Sequence, residues 1–313
     1  MGISLKGILK INCELINLTG LLIGTGRGKL EIGELDVEPL FTTTMYNIDG
    51  NIYKADVPTI PGSSLKGRIR SLLEVAMNMP LWSDGKIVQH YGVRSKKELK
   101  EGWCLDPKCP ICTYFGRPAL QIEILESELK REKDVNVDEL IKKLNEYKKY
   151  AAPTRLYVSD AIPTVDCLRR IIEEKEGSIS VGKEDFLDMK PENRIDRVTS
   201  AADPRTIGRI KPGIRFGIDF TICLYYDFDV NNLRNLIMGM ELLEDTYLGA
   251  SGSRGYGRVK FENIVLTLKP IEYYKGETNA VKRYPQKGTY RDLSHLKTEL
   301  VHIIDDIKRA LFR

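Results

Sequence analysis

The strongest constraint on how this chain folds is a unit that occurs twice: an alternating strand, a helix, then a second strand. Leu9, Ile11, Cys13 and Leu15 alternate with Lys10, Asn12 and Glu14, the period of two that a half-buried strand requires. A loop with Gly20, Gly24, Gly26, Gly28 and Gly33 follows. Residues 63–77 then place Leu65, Ile69, Leu72, Leu73 and Ala76 at helical spacing, with Ser63 or Ser64 as the N-cap. Residues 155–159 (RLYVS) predict a short strand. In the second unit Phe216, Ile218, Phe220, Ile222 and Leu224 alternate with Arg215, Gly217, Asp219, Thr221 and Cys223. Residues 230–243 predict a helix capped by Asp229, and 258–268 a closing strand. Strand, helix, strand taken twice is the ferredoxin-like split pattern of an RRM-type core, so the expected class is α+β.

The remaining segments are read as insertions into that core. Residues 1–79 give its first part with the glycine-rich loop, 80–117 a small cysteine-bearing insert and 118–150 a charged helical insert. Residues 151–181 return to the core, 182–213 form a polar arm, 214–268 complete the core, and 269–313 form an extension. The arm shows no clear periodicity and is too long for a plain connector, which points to a functional segment. The extension carries Leu296, Leu300, Ile303, Ile304, Ile307 and Leu311 at helical spacing, an amphipathic helix expected to pack on the domain. With 42% hydrophobic and 29% charged residues in 313, the chain is neither disordered, collagenous nor a disulfide scaffold. No apolar run reaches the roughly 18 residues of a membrane span and no signal-peptide pattern opens the chain, so a cytoplasmic, membrane-free protein is expected.

Cys104, Cys109 and Cys112 are spaced C-x4-C-x2-C, with His90 upstream. Three thiolates and an imidazole suit a closed tetrahedral zinc site, and such a metal holds together an insert too small for its own core. Four protein ligands leave no open position for water, so the expected role is structural. The other reading is three reduced thiols beside an unrelated histidine.

Phosphate fingerprints mostly miss. Residues 62–67 (GSSLKG) have the outer glycines of a Walker loop, but Arg68-Ile69 stands where Lys-Ser/Thr is required. With only three histidines, no Ser-His-Asp set can be assembled, which leaves carboxylates, lysines or a metal ion for acid–base work. The net charge of +4 does not announce a nucleic acid. The placement of the cations says more. Lys66, Arg68 and Arg70 follow Ser63 and Ser64 with no acid between them; Arg254, Arg258 and Lys260 sit among Gly249, Gly252, Ser253, Gly255, Tyr256 and Gly257. Arg194, Arg197, Arg205, Arg209, Lys211 and Arg215 outnumber the acids of the arm. Each cluster alone also fits a solvated surface. Beside glycine turns that expose backbone N–H groups, three of them favour RNA.

Residues 60–70 (IPGSSLKGRIR) and 248–259 (LGASGSRGYGRV) closely resemble the RAMP superfamily, and more narrowly the repeated backbone subunit of type III-A (Csm) CRISPR effector complexes. Residues 192–199 (ENRIDRVT) with 202–205 (ADPR) resemble that family's thumb. The resemblance spans 9–70, 155–161 and 192–268 in the family's order. It implies copies stacked along a guide (CRISPR) RNA, a thumb that displaces a nucleotide pair at intervals, and cleavage of the paired target RNA beside it. It implies partners among the other Csm subunits: the RAMP subunit capping the guide 5′ end, the small subunit and the large polymerase-domain subunit. It also implies a divalent metal such as magnesium for cleavage, with Asp36 as the cutting residue. From the residues alone Glu34 and Glu38 are equal rivals; the resemblance alone selects Asp36. Many relatives have histidine in the first glycine turn, whereas residues 20–24 here read GLLIG, with Leu22 in that place. The missing imidazole argues against a standalone nuclease that processes guide RNA. A non-catalytic guide-binding scaffold remains the other alternative. A DNA-binding zinc module lacks both the C-x2-C…H-x3-H pattern and a recognition helix.

Overall fold

The computed structural model describes residues 3–24, 38–83, 87–90, 104–117, 127, 137–175 and 181–312. In chain order the elements are β1 (Gly7–Asn17), β2 (Phe41–Ile48), β3 (Asn51–Pro58), α1 (Gly62–Ala76), β4 (Trp82–Ser83), β5 (Val88–Gln89), α2 (Pro110–Phe115), α3 (Val137–Tyr150), β6 (Leu156–Val158), β7 (Ile162–Pro163) and α4 (Val165–Glu174). There follow α5 (Lys183–Phe186), β8 (Leu187–Ile195), β9 (Ala202–Ile210), β10 (Arg215–Leu224), α6 (Asp227–Asn231), α7 (Leu233–Asp245), β11 (Val259–Pro270), α8 (Ile271–Tyr274), β12 (Lys282–Tyr284), β13 (Tyr290–Asp292) and α9 (Leu293–Leu311).

The alternating stretches became the sheet. Its order is β12-β11-β1-β10-β6, with β13 beside β11 and β7 beside β10. β1 lies at the centre, antiparallel to both long neighbours: Leu9 faces Ile222 on one side and Leu268 on the other. Leu9, Ile11, Leu15, Phe216, Phe220, Ile222, Phe261 and Leu266 are all buried, so every second residue of three strands feeds one core. Leu65, Ile69 and Leu73 on α1 and Leu236, Ile237 and Met240 on α7 join it. The two helices approach closely at Gly239, where an added Cβ would lie 2.7 Å from Ile69 and 3.0 Å from Leu73. α9 lays Leu296, Leu300, Ile303, Ile304 and Ile307 into the same core, as its periodicity predicted. Asp292 caps it, accepting the His295 amide at 2.9 Å.

Several local expectations are corrected. Neither Ser63 nor Ser64 caps α1: Pro61 holds the cap position, and the carboxylate of Asp160 accepts the Gly62 amide at 2.8 Å. The helix placed at residues 230–243 is two, α6 and α7, parted at Asn232. Asp229 lies inside α6, fully buried, where it accepts the Tyr225 and Tyr226 amides and pairs with Arg155 at 3.0 Å. The arm is a regular hairpin, β8 paired with β9 from Leu187↔Ile210 to Ile195↔Ala202. A second hairpin, β2–β3, turns at Asp49 and Gly50, both at positive φ. Of the charged helical insert, α3 is described, while residues 118–126 and 128–136 lie outside the described residues.

Candidate nucleic-acid interface and metal centre

The two basic, glycine-bearing segments converge at Tyr247. An added Cβ on Gly62 would sit 2.2 Å from the Val158 carbonyl oxygen, so α1 begins flush against β6. Further along α1, Arg68 Nε donates to the Tyr247 carbonyl at 3.1 Å, and its guanidinium lies 4.3 Å from the Tyr247 ring centroid, a cation–π distance. Gly252 presses on that ring: a Cβ there would fall 1.9 Å from it. An arginine from α1 and a turn after α7 are thereby fixed on one aromatic side chain. On these two segments Ser63, Ser253, Arg254 and Gly255 are exposed, and Ser64 is half-buried. Arg254 donates to the Ser251 hydroxyl at 2.6 Å.

Backbone hydrogen bonds tie this turn to the first glycine turn. The Gly257 amide donates to Gly20 O at 2.9 Å and the Ala250 amide to Leu22 O at 2.8 Å, while Leu21 and Ile210 exchange bonds of 3.1 and 2.8 Å. Gly249 must be glycine: its φ is +81° and a Cβ would lie 2.4 Å from Leu22 O. Leu22 packs with Ile207 and Tyr256 in a small buried cluster, so an apolar side chain suits this position. Gly24 pairs with Pro39, and the Leu40 amide donates to Ile23 O at 3.0 Å, so residues 23–24 and 39–40 lie side by side next to the glycine turns. Asp36 and Glu34 lie outside the described residues. Glu38, the third of the candidate carboxylates, pairs with Lys183 at 2.9 Å.

Tyr256 anchors the β8–β9 hairpin from inside. It is fully buried, and its hydroxyl donates to Glu192 Oε1 at 2.8 Å. The Lys190 ammonium and Arg209 guanidinium lie 4.7 and 5.0 Å from its ring centroid. Arg205 reaches Glu192 Oε2 at 3.1 Å. The Tyr256 hydroxyl, then Arg205 and Lys190, hold the Glu192 carboxyl below its ordinary range, although partial burial opposes them. Burial and then Glu192 push the Tyr256 phenol up. Arg194, Arg197 and Arg205 are exposed along the hairpin, Arg194 paired with Asp203 at 2.7 Å.

Lys66 and Arg70 face elsewhere. The Lys66 ammonium donates to Leu156 O at 2.7 Å, and burial, then Arg70, lowers its pKa. Arg70 turns toward the cysteine insert, pairing with Glu74 at 2.7 Å and donating to Gly116 O at 3.4 Å and to the His90 carbonyl. Sequence spacing grouped Lys66, Arg70 and Tyr256 with the surface cations and missed these inward roles.

His90, Cys104, Cys109 and Cys112 converge, each offering a donor atom within 4.8 Å of the others. Cys109 sits at the N-cap of α2, where its sulfur accepts the Cys112 amide at 3.4 Å. His90 Nδ1 lies 2.8 Å from the Pro80 carbonyl oxygen. That oxygen only accepts, so Nδ1 carries a proton, and Nε2 is the ring nitrogen that faces the thiols, 3.4 Å from Cys109 Sγ. Burial opposes a charged His90, but Cys104, Cys109 and the Pro80 carbonyl outweigh it and raise its pKa to about 10. Hydrogen bonds from Cys104 and Cys112 hold the Cys109 thiol down, while Cys104 and Cys109, then burial, push Cys112 up. Buried sulfur donors crowded round an oriented imidazole form a set that could hold a metal ion.

The sequence profile of the RAMP superfamily matches residues 15–260. The CRISPR system Cms endoribonuclease Csm3 of Methanothermobacter thermautotrophicus is 35% identical over 299 residues, covering 92% of this chain and 96% of that protein. The protein of the same name from Methanocaldococcus jannaschii is 31% identical over 302 residues, covering 95% and 92%. The crystal structure of Methanopyrus kandleri Csm3 covers 97% of this chain and 98% of its own at 20% identity, with a TM-score of 0.54, a likeness of fold.

Proposed function

The chain belongs to the RAMP superfamily, and on that footing we propose that it is the repeated backbone subunit of a type III-A CRISPR interference complex, an endoribonuclease that binds guide RNA and cuts complementary target RNA at regular intervals. The observation that carries this reading is the Arg68–Tyr247–Gly252 contact, which joins α1, the helix of Ser63 and Ser64, to the turn of Ser253 and Arg254. Such a surface suits a ribose-phosphate chain: exposed N–H groups and cations meet phosphate oxygens, and base pairing carries the specificity. The strand order β11-β1-β10-β6 with α1 and α7 supports a ferredoxin-like core of the RRM type. The hairpin with exposed Arg194, Arg197 and Arg205 would serve as the thumb, and Val198 at its tip, 92% exposed, would be the wedge between displaced nucleotides.

Cleavage is assigned to Asp36. The target's 2′-hydroxyl would attack the adjacent phosphorus while the bond to the 5′ oxygen of the next nucleotide breaks, and a carboxylate there would orient the hydroxyl or hold a cation. A divalent ion such as magnesium, when bound, would offset charge on the phosphate. The four-donor set His90, Cys104, Cys109 and Cys112 fits zinc in a structural role, since all four positions are protein ligands. Further copies of this chain and the other Csm subunits, including the guide-capping, small and polymerase-domain subunits, would complete the assembly. Reconstitution with guide and complementary target tests the reading: wild type should cut at even spacing with divalent metal, and Asp36→Ala should bind but not cut. Equal cutting by both would assign the chemistry elsewhere.

A further inference from the structure

Arg70 sits on the helix that carries Arg68, yet its guanidinium is spent inside the protein. It joins three acceptors from three segments: Glu74 on α1, the carbonyl of His90, and the carbonyl of Gly116 in the turn that ends α2. His90 is itself a donor of the metal set, and α2 carries Cys112 behind Cys109 at its cap. The fork of one arginine therefore touches both halves of the cluster and the helix at once. Its side chain is 17% exposed, and the Glu74 carboxylate it meets is 5% exposed.

We propose that Arg70 is a positioning residue through which the His90–Cys104–Cys109–Cys112 cluster sets the seat of α1, so that metal binding and guide-RNA binding are coupled. This rests on the RNA-binding reading above. A helix transmits displacement rigidly over two residues, about 3 Å of rise, so a shift at Arg70 reaches the Arg68–Tyr247 contact undiminished. The Pro61-Gly62 start of α1 is itself held tightly, against β6 and by Asp160. A bound metal fixes the His90 ring and with it the His90 backbone, and the carbonyl of that residue is one of the points from which Arg70 hangs. Lysine cannot replace this residue: a single ammonium lacks the planar fork that spans several acceptors.

The test measures two affinities by competition: zinc against a chelator, and a single-stranded RNA of guide length against ionic strength. For wild type, RNA should tighten zinc binding about threefold to tenfold, and zinc should tighten RNA binding by the same factor, as linkage demands. In Arg70→Lys both factors should fall toward one, while the dependence of RNA binding on salt is unchanged. A salt slope reduced by about 0.7 would mark a lost phosphate contact and overturn the proposal, as would coupling undiminished in the variant. Should Arg70→Lys fold poorly, Glu74→Gln keeps the guanidinium but frees its aim, and it should weaken the coupling; full coupling there overturns the idea. Zinc-loaded wild type that binds no RNA would sink the functional reading, whereas RNA binding indifferent to zinc would sink only the coupling.

Discussion

A methyl group at Gly252 would fall 1.9 Å from the Tyr247 ring, so Gly252→Ala must displace the ring that Arg68 grips or the turn itself. Overpacking of this kind costs about 1–3 kcal/mol, and RNA affinity should fall about tenfold in a filter-binding titration; unchanged affinity would detach Tyr247 from the interface. Gly67 is the contrasting case. It is exposed on α1, with nothing within 4 Å of an added Cβ. Gly67→Ala should raise the melting temperature, since alanine is favoured over glycine in a helix by about 1 kcal/mol. It should nevertheless weaken RNA binding if the ribose-phosphate chain passes this face, and equal affinity would place the RNA elsewhere. At this scale the sequence revealed chemistry better than direction. The spacing of Cys104, Cys109 and Cys112 was legible because metal ligation needs few residue types at short range. That Lys66, Arg70 and Tyr256 point inward was not, because helix phase and turn orientation depend on partners such as Leu156, His90 and Glu192, each distant in the chain.

The hairpin β8–β9 is joined to the glycine turn by the Tyr256–Glu192 hydrogen bond, which gives it a pH signature. Because Glu192 is held below its ordinary range in the folded protein, its contribution is complete above the unfolded-state value, about 4.3. It is lost as pH falls through the lower folded value. The Tyr256 ring resonances, followed from neutral pH downward, should shift with a midpoint below that of a free glutamate; a midpoint at or above it would show that the contact does not form. Tyr256→Phe should abolish the titration and loosen the hairpin, seen as faster amide exchange in β8 and β9, at a cost of about 1.5 kcal/mol. Among elements, β1, β10 and β11 were readable because each alternates over a long stretch with one face in the core. The β8–β9 hairpin was not, since most of its residues face solvent on both sides and no period survives. The β2–β3 hairpin did carry a signal: Asp49-Gly50 between two eight-residue strands is the pair favoured where both turn residues need positive φ. The split at Asn232 was hidden because apolar spacing runs on through α6 and α7.

For the molecule as a whole, the bonds around α2 decide whether the cysteine insert is an appendage or part of the core. The Arg155 amide donates to Thr113 O at 3.0 Å, the Tyr114 hydroxyl to Asp229 O at 2.6 Å, and Asn232 to the Thr113 hydroxyl at 3.2 Å. Tyr114, Arg155 and Asp229 are all buried, so α2 is hydrogen-bonded into the β10–α6–α7 corner. Sequence alone favoured a separate small unit, because a metal motif signals local folding and says nothing of what its helix leans on. These contacts predict that removing the metal lowers the stability of the entire protein. Under reducing conditions with a chelator, calorimetry should show a single transition moved down by about 1.5 °C for each kcal/mol lost at this length. Two separate transitions, with the larger unmoved, would show that the insert melts alone and that the bonds of Thr113 and Tyr114 carry no cooperativity. Asn232→Ala separates these outcomes further. It removes one of the bonds without touching a metal donor, so an integrated insert should then lose metal more readily at the same chelator concentration, whereas an autonomous one should hold it as wild type does.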